Sequence, residues 1–376
     1  MNTNQIYTLV NSVVAAGVGS VSTQVVSDTQ SLVSLGNEVL SSANNTESFL
    51  NQLVQRIGKT IISFREYRNK LGSMVMDDFE YGAIVQKIAV KMPVAKEDPS
   101  FALTDGQSVD PFNVSKPEVL QKFFVKRTPY MFEMTISRDR LKEAFTSEEK
   151  MGGFLAAIFG EVRNAIEFSL EELGRATLAN YIGEVTGTAR QINLVTDFNT
   201  EMGLTGNNAL DATSAMHSDL FLNYAIGRIN HHAKMITEMS VRYNDGSKPR
   251  FTPTDKRVIR LLSDFDTRAQ TVTQYAAYHD RYVSVGGEWD TISYWQNFAK
   301  GNEAKVMVKR ASDGTNKTVN NVIAVMYDRE ALGIYKKEEI VESIRNPKGL
   351  YYNTFYHEMQ LWFNDLAENF VCFTLN

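Results

Sequence analysis

Cysteine is nearly absent from this sequence: Cys372 is the single one in 376 residues. No disulfide can form within the chain, so folding does not depend on an oxidising compartment. Cys372 lies between Val371 and Phe373 in the apolar run Phe370–Leu375 and reads as a small buried residue, because a reactive thiol needs an exposed site and a nearby base. Positive charge is missing from one end, since residues 1–46 hold no Lys or Arg. A secretory leader needs a basic first region, so none is expected and a cytosolic origin fits. The Asn-x-Ser/Thr sites at Asn44, Asn113 and Asn316 then carry no glycosylation meaning. No apolar run approaches the roughly 18 residues of a spanning helix, so no membrane partner is expected. A basic excess is also lacking: 39 Lys and Arg face 44 Asp and Glu, for a net charge of −5. That balance argues against a dedicated nucleic-acid reader.

The motifs of catalysis fail one by one. Gly58-Lys59-Thr60 ends like a phosphate loop, but the earlier glycine it needs falls on Leu53. Gly17-Val18-Gly19 is half of a dinucleotide fingerprint and has Ser22 where the third glycine belongs. There is no Gly-x-Ser-x-Gly elbow and no His-Glu-x-x-His helix. His231 and His232 are adjacent, so on a helix they point about 100° apart and cannot share a metal. His232 falls on an apolar stripe and is expected to be a satisfied core residue, with His231 in solvent. Tyr278-His279-Asp280-Arg281 reads as a charged helix end. Asp264 and Asp266 read as helix-capping carboxylates before they read as metal ligands. No enzyme activity, catalytic residue, cofactor or metal site is expected.

What is present is a soluble globular composition, 43% hydrophobic and 22% charged, long enough for two or more domains. Residues 1–46, rich in Ser, Val, Asn and Thr with only Asp28 and Glu38 charged, read as an extended arm that orders against a partner surface. Phe49, Leu50, Leu53, Val54, Ile57 and Ile61 have the spacing of a short amphipathic helix. Residues 79–136 read as a long β-hairpin. Ile84, Ile88, Val90 and Met92 share one face of its outgoing strand, with Lys87 and Lys91 on the other, and Tyr130, Phe132, Met134 and Ile136 alternate on the return. The Pro93–Pro117 segment between them is too long for an ordinary loop, so the hairpin is expected to project and dock on another chain. Thr146-Ser147-Glu148-Glu149 is a capping-box sequence with Thr146 as N-cap. Behind it Met151, Leu155, Ile158, Val162, Ile166, Leu170 and Leu173 repeat at helical spacing to about Ile182, where Gly183 can end a helix about 50 Å long. Residues 190–335 alternate helix and strand: a helix over Ser218–Met239, a strand over Arg257–Leu262, a helix through Tyr275, then strands over Glu303–Val308 and Val319–Tyr327 flanking the turn Asp313-Gly314. Aromatic strands follow Asn346-Pro347-Lys348-Gly349 to the end.

This order of arm, hairpin, long helix, α/β block and returning strands resembles the Hong Kong 97-type capsid fold. Arg345-Asn346-Pro347-Lys348-Gly349-Leu350-Tyr351-Tyr352-Asn353, with Tyr356-His357 after it, is similar to the corresponding run of major capsid proteins from small Picovirinae-like podophages. Leu53-Val54-Gln55-Arg56-Ile57-Gly58 is similar to the same group. The resemblance implies an α+β fold with an N-terminal arm over 1–48 and a peripheral domain over 49–78 and 137–190, its spine helix at about 147–182. It further implies an extended loop over 79–136, an α/β axial domain over 191–335, and a return to the peripheral domain over 336–376. It implies a virion protein that assembles with itself into pentamers and hexamers around double-stranded DNA, which it contacts non-specifically. A separate scaffolding protein and a portal are the expected partners, and no C-terminal immunoglobulin-like domain is expected. Lys87, Lys91, Lys96, Asp98, Asp105, Asp110, Lys116, Lys122, Lys126, Arg127, Arg345 and Lys348 are the candidate inter-subunit residues, on the argument of charge complementarity. A portal or tail-tube subunit is the nearest rival reading and a soluble α/β enzyme the next.

Overall fold

The computed structural model describes residues 3–18, 21, 25–57, 67–76, 85–90, 92–93, 95–110, 112, 114, 116, 118–125, 127–276 and 288–376. Three helices come first: α1 (Thr3–Ala15), α2 (Thr29–Ser41) and α3 (Ala43–Ile57). The strands β1 (Val75–Met76), β2 (Val85–Val90), β3 (Val119–Phe124) and β4 (Arg127–Ser137) follow. Next come α4 (Arg138–Ala144), the long α5 (Glu148–Val185), β5 (Gln191–Asn193), α6 (Leu194–Glu201), α7 (Ala212–Ala215) and α8 (Asp219–Met235). β6 (Arg257–Leu262), α9 (Ser263–Ala276), β7 (Glu288–Ile292), β8 (Val306–Lys309) and β9 (Asn316–Val319) lead to β10 (Val322–Asp328). β11 (Leu332–Asn346), β12 (Tyr351–Asn364) and β13 (Phe370–Thr374) close the chain.

Two sheets share α5. A four-stranded sheet in the order β1-β11-β12-β4 lies along its N-terminal and central turns, and a five-stranded sheet in the order β5-β13-β10-β6-β7 lies at its C-terminal end. At 38 residues α5 is about 57 Å long, enough to run past both. Met151, Leu155 and Ile158 enter one apolar cluster, Leu170 and Leu173 a small middle one with Ile334, and Leu178, Tyr181, Ile182 and Val185 the core beneath the second sheet. Arg260 links the central sheet to the turn before β1. It is fully buried, donates to the Tyr327 hydroxyl at 2.8 Å, to Asp290 at 2.6 Å and to Ser73 Oγ at 2.6 Å.

The structure corrects several sequence expectations. Thr3–Ala15 and Thr29–Ser41 are not parts of an extended arm: as α1 and α2 they bury Ile6, Val10, Val13, Val14, Leu32, Leu35 and Val39 in one cluster with Leu155, Tyr352 and Tyr356. Their helical spacing was masked by Ser and Asn and by the scarcity of charge, but Asp28 caps α2 by accepting from Ser31 N at 2.7 Å. The return strand of the expected hairpin, β4, pairs instead with β12 in antiparallel register from Tyr351↔Ser137 to Leu361↔Arg127. Ser147, not Thr146, is the N-cap of α5, because Thr146 Oγ1 is spent on Glu143 O at the end of α4. Gly183 does not end α5. It is there because a Cβ would stand 2.2 Å from Val308 Cγ2 of the β8–β9 hairpin, which packs against the helix. The expected strand Val319–Tyr327 is two strands broken at Asn321, whose φ is 53°. β6 falls on the residues expected of it. Gly58-Lys59-Thr60 and Tyr278-His279-Asp280-Arg281 lie outside the described residues.

Deleting residues 1–41 should therefore expose the cluster around Leu155 and Tyr352 and give an insoluble or partly unfolded chain; a soluble, cooperatively melting truncate would show that these helices are a dispensable arm. A second prediction concerns His232, which is fully buried on α8 with Nδ1 2.8 Å from the Tyr243 hydroxyl. Burial, with Arg228 and Arg242 nearby, lowers its pKa from 6.5 to about 4. The unfolded chain thus takes up the proton first, and stability falls as pH drops from about 6.5 towards 4, by roughly 3 kcal/mol at most. Urea unfolding at stepped pH should show that slope, and it should flatten in His232→Gln.

Candidate functional site

Among the described residues the hairpin of β2 and β3 forms a two-stranded sheet of its own, in a register that sets Lys87 directly opposite Lys122. Like charges facing each other across a strand pair are unfavourable unless an anion lies beside them. Here several do. Lys87 Nζ lies 2.7 Å from Glu368 and 3.0 Å from Asp365, with Glu330 at 3.9 Å. Lys122 Nζ lies 2.9 Å from Asp365 and 3.6 Å from Asp245. Asp365 and Glu368 sit in the turn between β12 and β13, with side chains only 2% and 4% exposed. That turn is fixed from beneath: the buried Tyr181 hydroxyl of α5 donates to Asp365 O at 2.9 Å and Glu368 O at 3.2 Å, and Asp245 N donates to Leu366 O at 2.9 Å.

The charges at this socket shift as their surroundings require. Burial works to raise the Asp365 carboxyl, but Lys87 and Lys122 override it and hold it below the usual range. For Glu368 burial wins, and Lys87 and Arg250 offset it only in part, so its carboxyl is raised. Asp245, also penalised by burial, is held low by Ser247 and Lys122.

The socket inverts the polarity of the hairpin. Lys87 and Lys122 face the chain, while Ile88, Val90 and Phe123 face outwards at 58%, 59% and 56% exposure. A strand with apolar and charged faces normally buries the apolar one. Burying an Ile, Val or Phe gives about 1.5–3 kcal/mol and leaving a buried carboxylate without a cation costs about 3–5 kcal/mol, so the ion pairs offset the exposure of these side chains. Phe124 helps, packing with its ring tilted against Phe363 of β12 at a centroid distance of 5.1 Å. Beyond the strands the tip is exposed, with Phe101 at 92% and Phe112 at 85%.

Lys87 and Lys122 are therefore used inside the chain. Lys96, Asp98, Asp105, Asp110 and Lys116 lie exposed in the tip segment, where Asp98 accepts from Ser100 N and Asp110 from Phe112 N. Lys91 and Lys126 lie outside the described residues. Arg127 opens β4 at the surface, remote in sequence from Arg345 and Lys348 at the β11–β12 turn. In that turn Asn346 organises the backbone, its side-chain oxygen accepting from Lys348 N and Gly349 N, and Leu350 takes a φ of 52°. The carboxylates of the socket were missed from the sequence, because Asp365 and Glu368 stand in a polar turn and only the tertiary fold buries them. Among the described residues no group of three or more His, Cys, Asp or Glu could hold a metal ion. Asp264 and Asp266 have separate partners, Arg268 and Gln270, and Cys372 is fully buried, which pushes its thiol up to about 12.

Residues 12–374 match the family described as Phi29-like phage major capsid protein. The chain belongs to that family. It is 24% identical over 371 residues to the major capsid protein of Bacillus phage B103, covering 98% of this chain and 72% of that one. It is 22% identical to the major capsid protein of Streptococcus phage Cp-1, covering 86% and 82%. Among solved structures it is similar to the capsid of Staphylococcus phage Andhra, with a TM-score of 0.54 at 10% identity and coverage of 85% and 87%. That likeness shows the capsid fold. The protein is a phage major capsid protein, a component of the virion shell. No helix among the described residues is long and apolar enough to cross a membrane.

In the capsid subunit, then, Lys87→Met should cost up to about 3–5 kcal/mol of unfolding free energy, since it removes one of the two cations from each of two buried carboxylates. Lys348→Met, at an exposed turn, should change it by less than about 0.5 kcal/mol. Denaturant titration of the two unassembled variants compares them, and equal midpoints would remove the socket from the list of stabilising features.

Proposed function

We propose that the subunit assembles into rings of five and six, the capsomers of a closed head around double-stranded DNA, and that the β2–β3 hairpin reaches from one copy onto another. The observation that carries this is the exposed apolar side of a hairpin whose charged side is turned inward. Ile88, Val90, Phe101, Phe112 and Phe123 are all more than half exposed in the single chain. An apolar patch held in water in this way suits a protein contact, and a contact between different surfaces of identical subunits closes into rings.

In this reading β1, α5 and the four-stranded sheet, with α1–α3 packed on them, form the peripheral domain. The five-stranded sheet with α6–α9 forms the axial domain. The charged residues of the tip, Lys96 to Lys116, steer the encounter more than they hold it. Many modest contacts repeated over a lattice give large avidity. A scaffolding protein and a portal are the further partners in this reading, DNA meets the inner surface without sequence preference, and the protein performs no chemistry.

Deleting Lys96–Lys116 should leave a folded monomer, by circular dichroism and sedimentation, that makes no stable shells under conditions where the full chain does. Normal particles from the deletion, seen by negative-stain microscopy, would refute the role of the hairpin.

A further inference from the structure

The hairpin lysines complete a larger array. Arg250 pairs with Glu368, Lys256 with Glu330 at 2.5 Å, and the hairpin supplies the remaining two cations. The network thus holds four cations, Lys87, Lys122, Arg250 and Lys256, against four carboxylates, Asp245, Glu330, Asp365 and Glu368. If the hairpin lifts away, two cations are left to four carboxylates, and Asp365, which has no other cation within ion-pair distance among the described residues, is stranded in a site 2% exposed. Val85, Ala89, Leu120 and Phe124 lie half-buried on the same side as the lysines and add apolar contact to the fixed position, but its buried charges are satisfied only by the ion pairs.

We propose that this socket is a latch: it holds the hairpin in one orientation on its own chain, and neutralising Asp365 and Glu368 releases it. Lys87 and Lys122 are then positioning residues, which set the angle at which the contact-making tip leaves the subunit. The assembly consequence rests on the capsid function proposed above; the latch itself does not.

The asymmetry of buried ion pairs gives the latch a distinctive signature. Removing a lysine takes a cation from two carboxylates and weakens the whole turn, whereas removing the carboxylate charges lets the lysines return to water at little cost. Other groups that face the socket do not reproduce this. Lys248 and Arg250 approach from the 240–252 segment and stay with the body of the chain. Asp328 and Glu330 approach from the end of β10, and Tyr335 from β11. Tyr181 lies beneath, its hydroxyl already committed to backbone oxygens.

The test places spin labels at Gln121→Cys on β3 and Leu220→Cys on α8, both exposed positions; Cys372 is fully buried and stays unlabelled. Double electron–electron resonance on the unassembled full chain at pH 7 should give one narrow distance distribution. Adding Asp365→Asn and Glu368→Gln should broaden it while circular dichroism stays native, and shell yield should fall. An unchanged narrow distribution in that variant, or a broad one already in the parent, overturns the latch. Should the double variant fail to fold, Asp365→Asn alone at pH 7 supplies the reading, with broadening expected because Asp365 is the carboxylate that pairs with both hairpin lysines, and a constant width counting against the latch. A latch that opens as expected with shell yield unaltered would keep the latch and remove its part in assembly. Failure of the parent to form shells at all would instead strike the capsomer proposal and leave the distance result standing.

Discussion

Two buried carboxylates in one short turn constrain much of this subunit. Asp365 and Glu368 follow the long antiparallel pairing of β11 with β12 and lead into β13 of the five-stranded sheet. Burial of that turn is forced by its neighbours: Phe370 is stacked on Tyr181 at 4.1 Å and Ala367 is itself buried. Once the turn is inside, its charges need cations, and the chain brings them from places far apart in sequence, the hairpin and the 245–256 segment. Sheet, spine helix and hairpin are thereby referred to a single point.

The spine helix makes that arrangement possible. Three separate apolar clusters lie along it, so no single core has to grow across the whole molecule. The face of β12 between the first and second clusters is polar: Glu358 and Gln360 are buried there, and burial raises the Glu358 carboxyl. Such positions contribute little hydrophobic stabilisation, and the ends of α5 do the anchoring. At its C-terminus Arg310 donates to Gly183 O and Thr186 O, satisfying carbonyls that no helical N–H can reach. At its N-terminus Ser147 caps, and Glu148 accepts from Thr29 of α2.

What could be read from the sequence was what is local. The repeat from Met151 to Leu173, the strand Arg257–Leu262 and the helix starting after Ser218 each carry their own periodicity or cap, and each appears within a few residues of its expected place. The Arg345–Asn353 run was informative for a local reason too, since Asn346, Gly349 and Leu350 build a turn that few sequences can form. Pairing between distant segments left no such trace. Nothing in Tyr130–Ile136 announces that its partner is Thr354 and Tyr356 and not Ile88. The first two helices were missed because polar spacers of Ser and Asn look alike in a helix and in a tail. Of the candidate site, the lysines were visible and their partners were not, so their direction was read wrongly.

That placement bears on how a capsid subunit achieves specificity. An amphipathic hairpin would by default lie with its apolar side on its own subunit and present lysines to solvent, where they bind any anionic surface weakly. Placing the anions inside opposes this, because a few kilocalories of ion pairing are comparable with the gain from covering Ile88 and Val90. The subunit then presents an apolar edge, which only a shape-matched surface can cover, and it keeps its charges satisfied within. A net charge of −5 spread over the rest of the surface opposes indiscriminate collapse of one copy on another. In the proposed shell, the contact made by the hairpin is thus specified by which charges the fold chooses to bury.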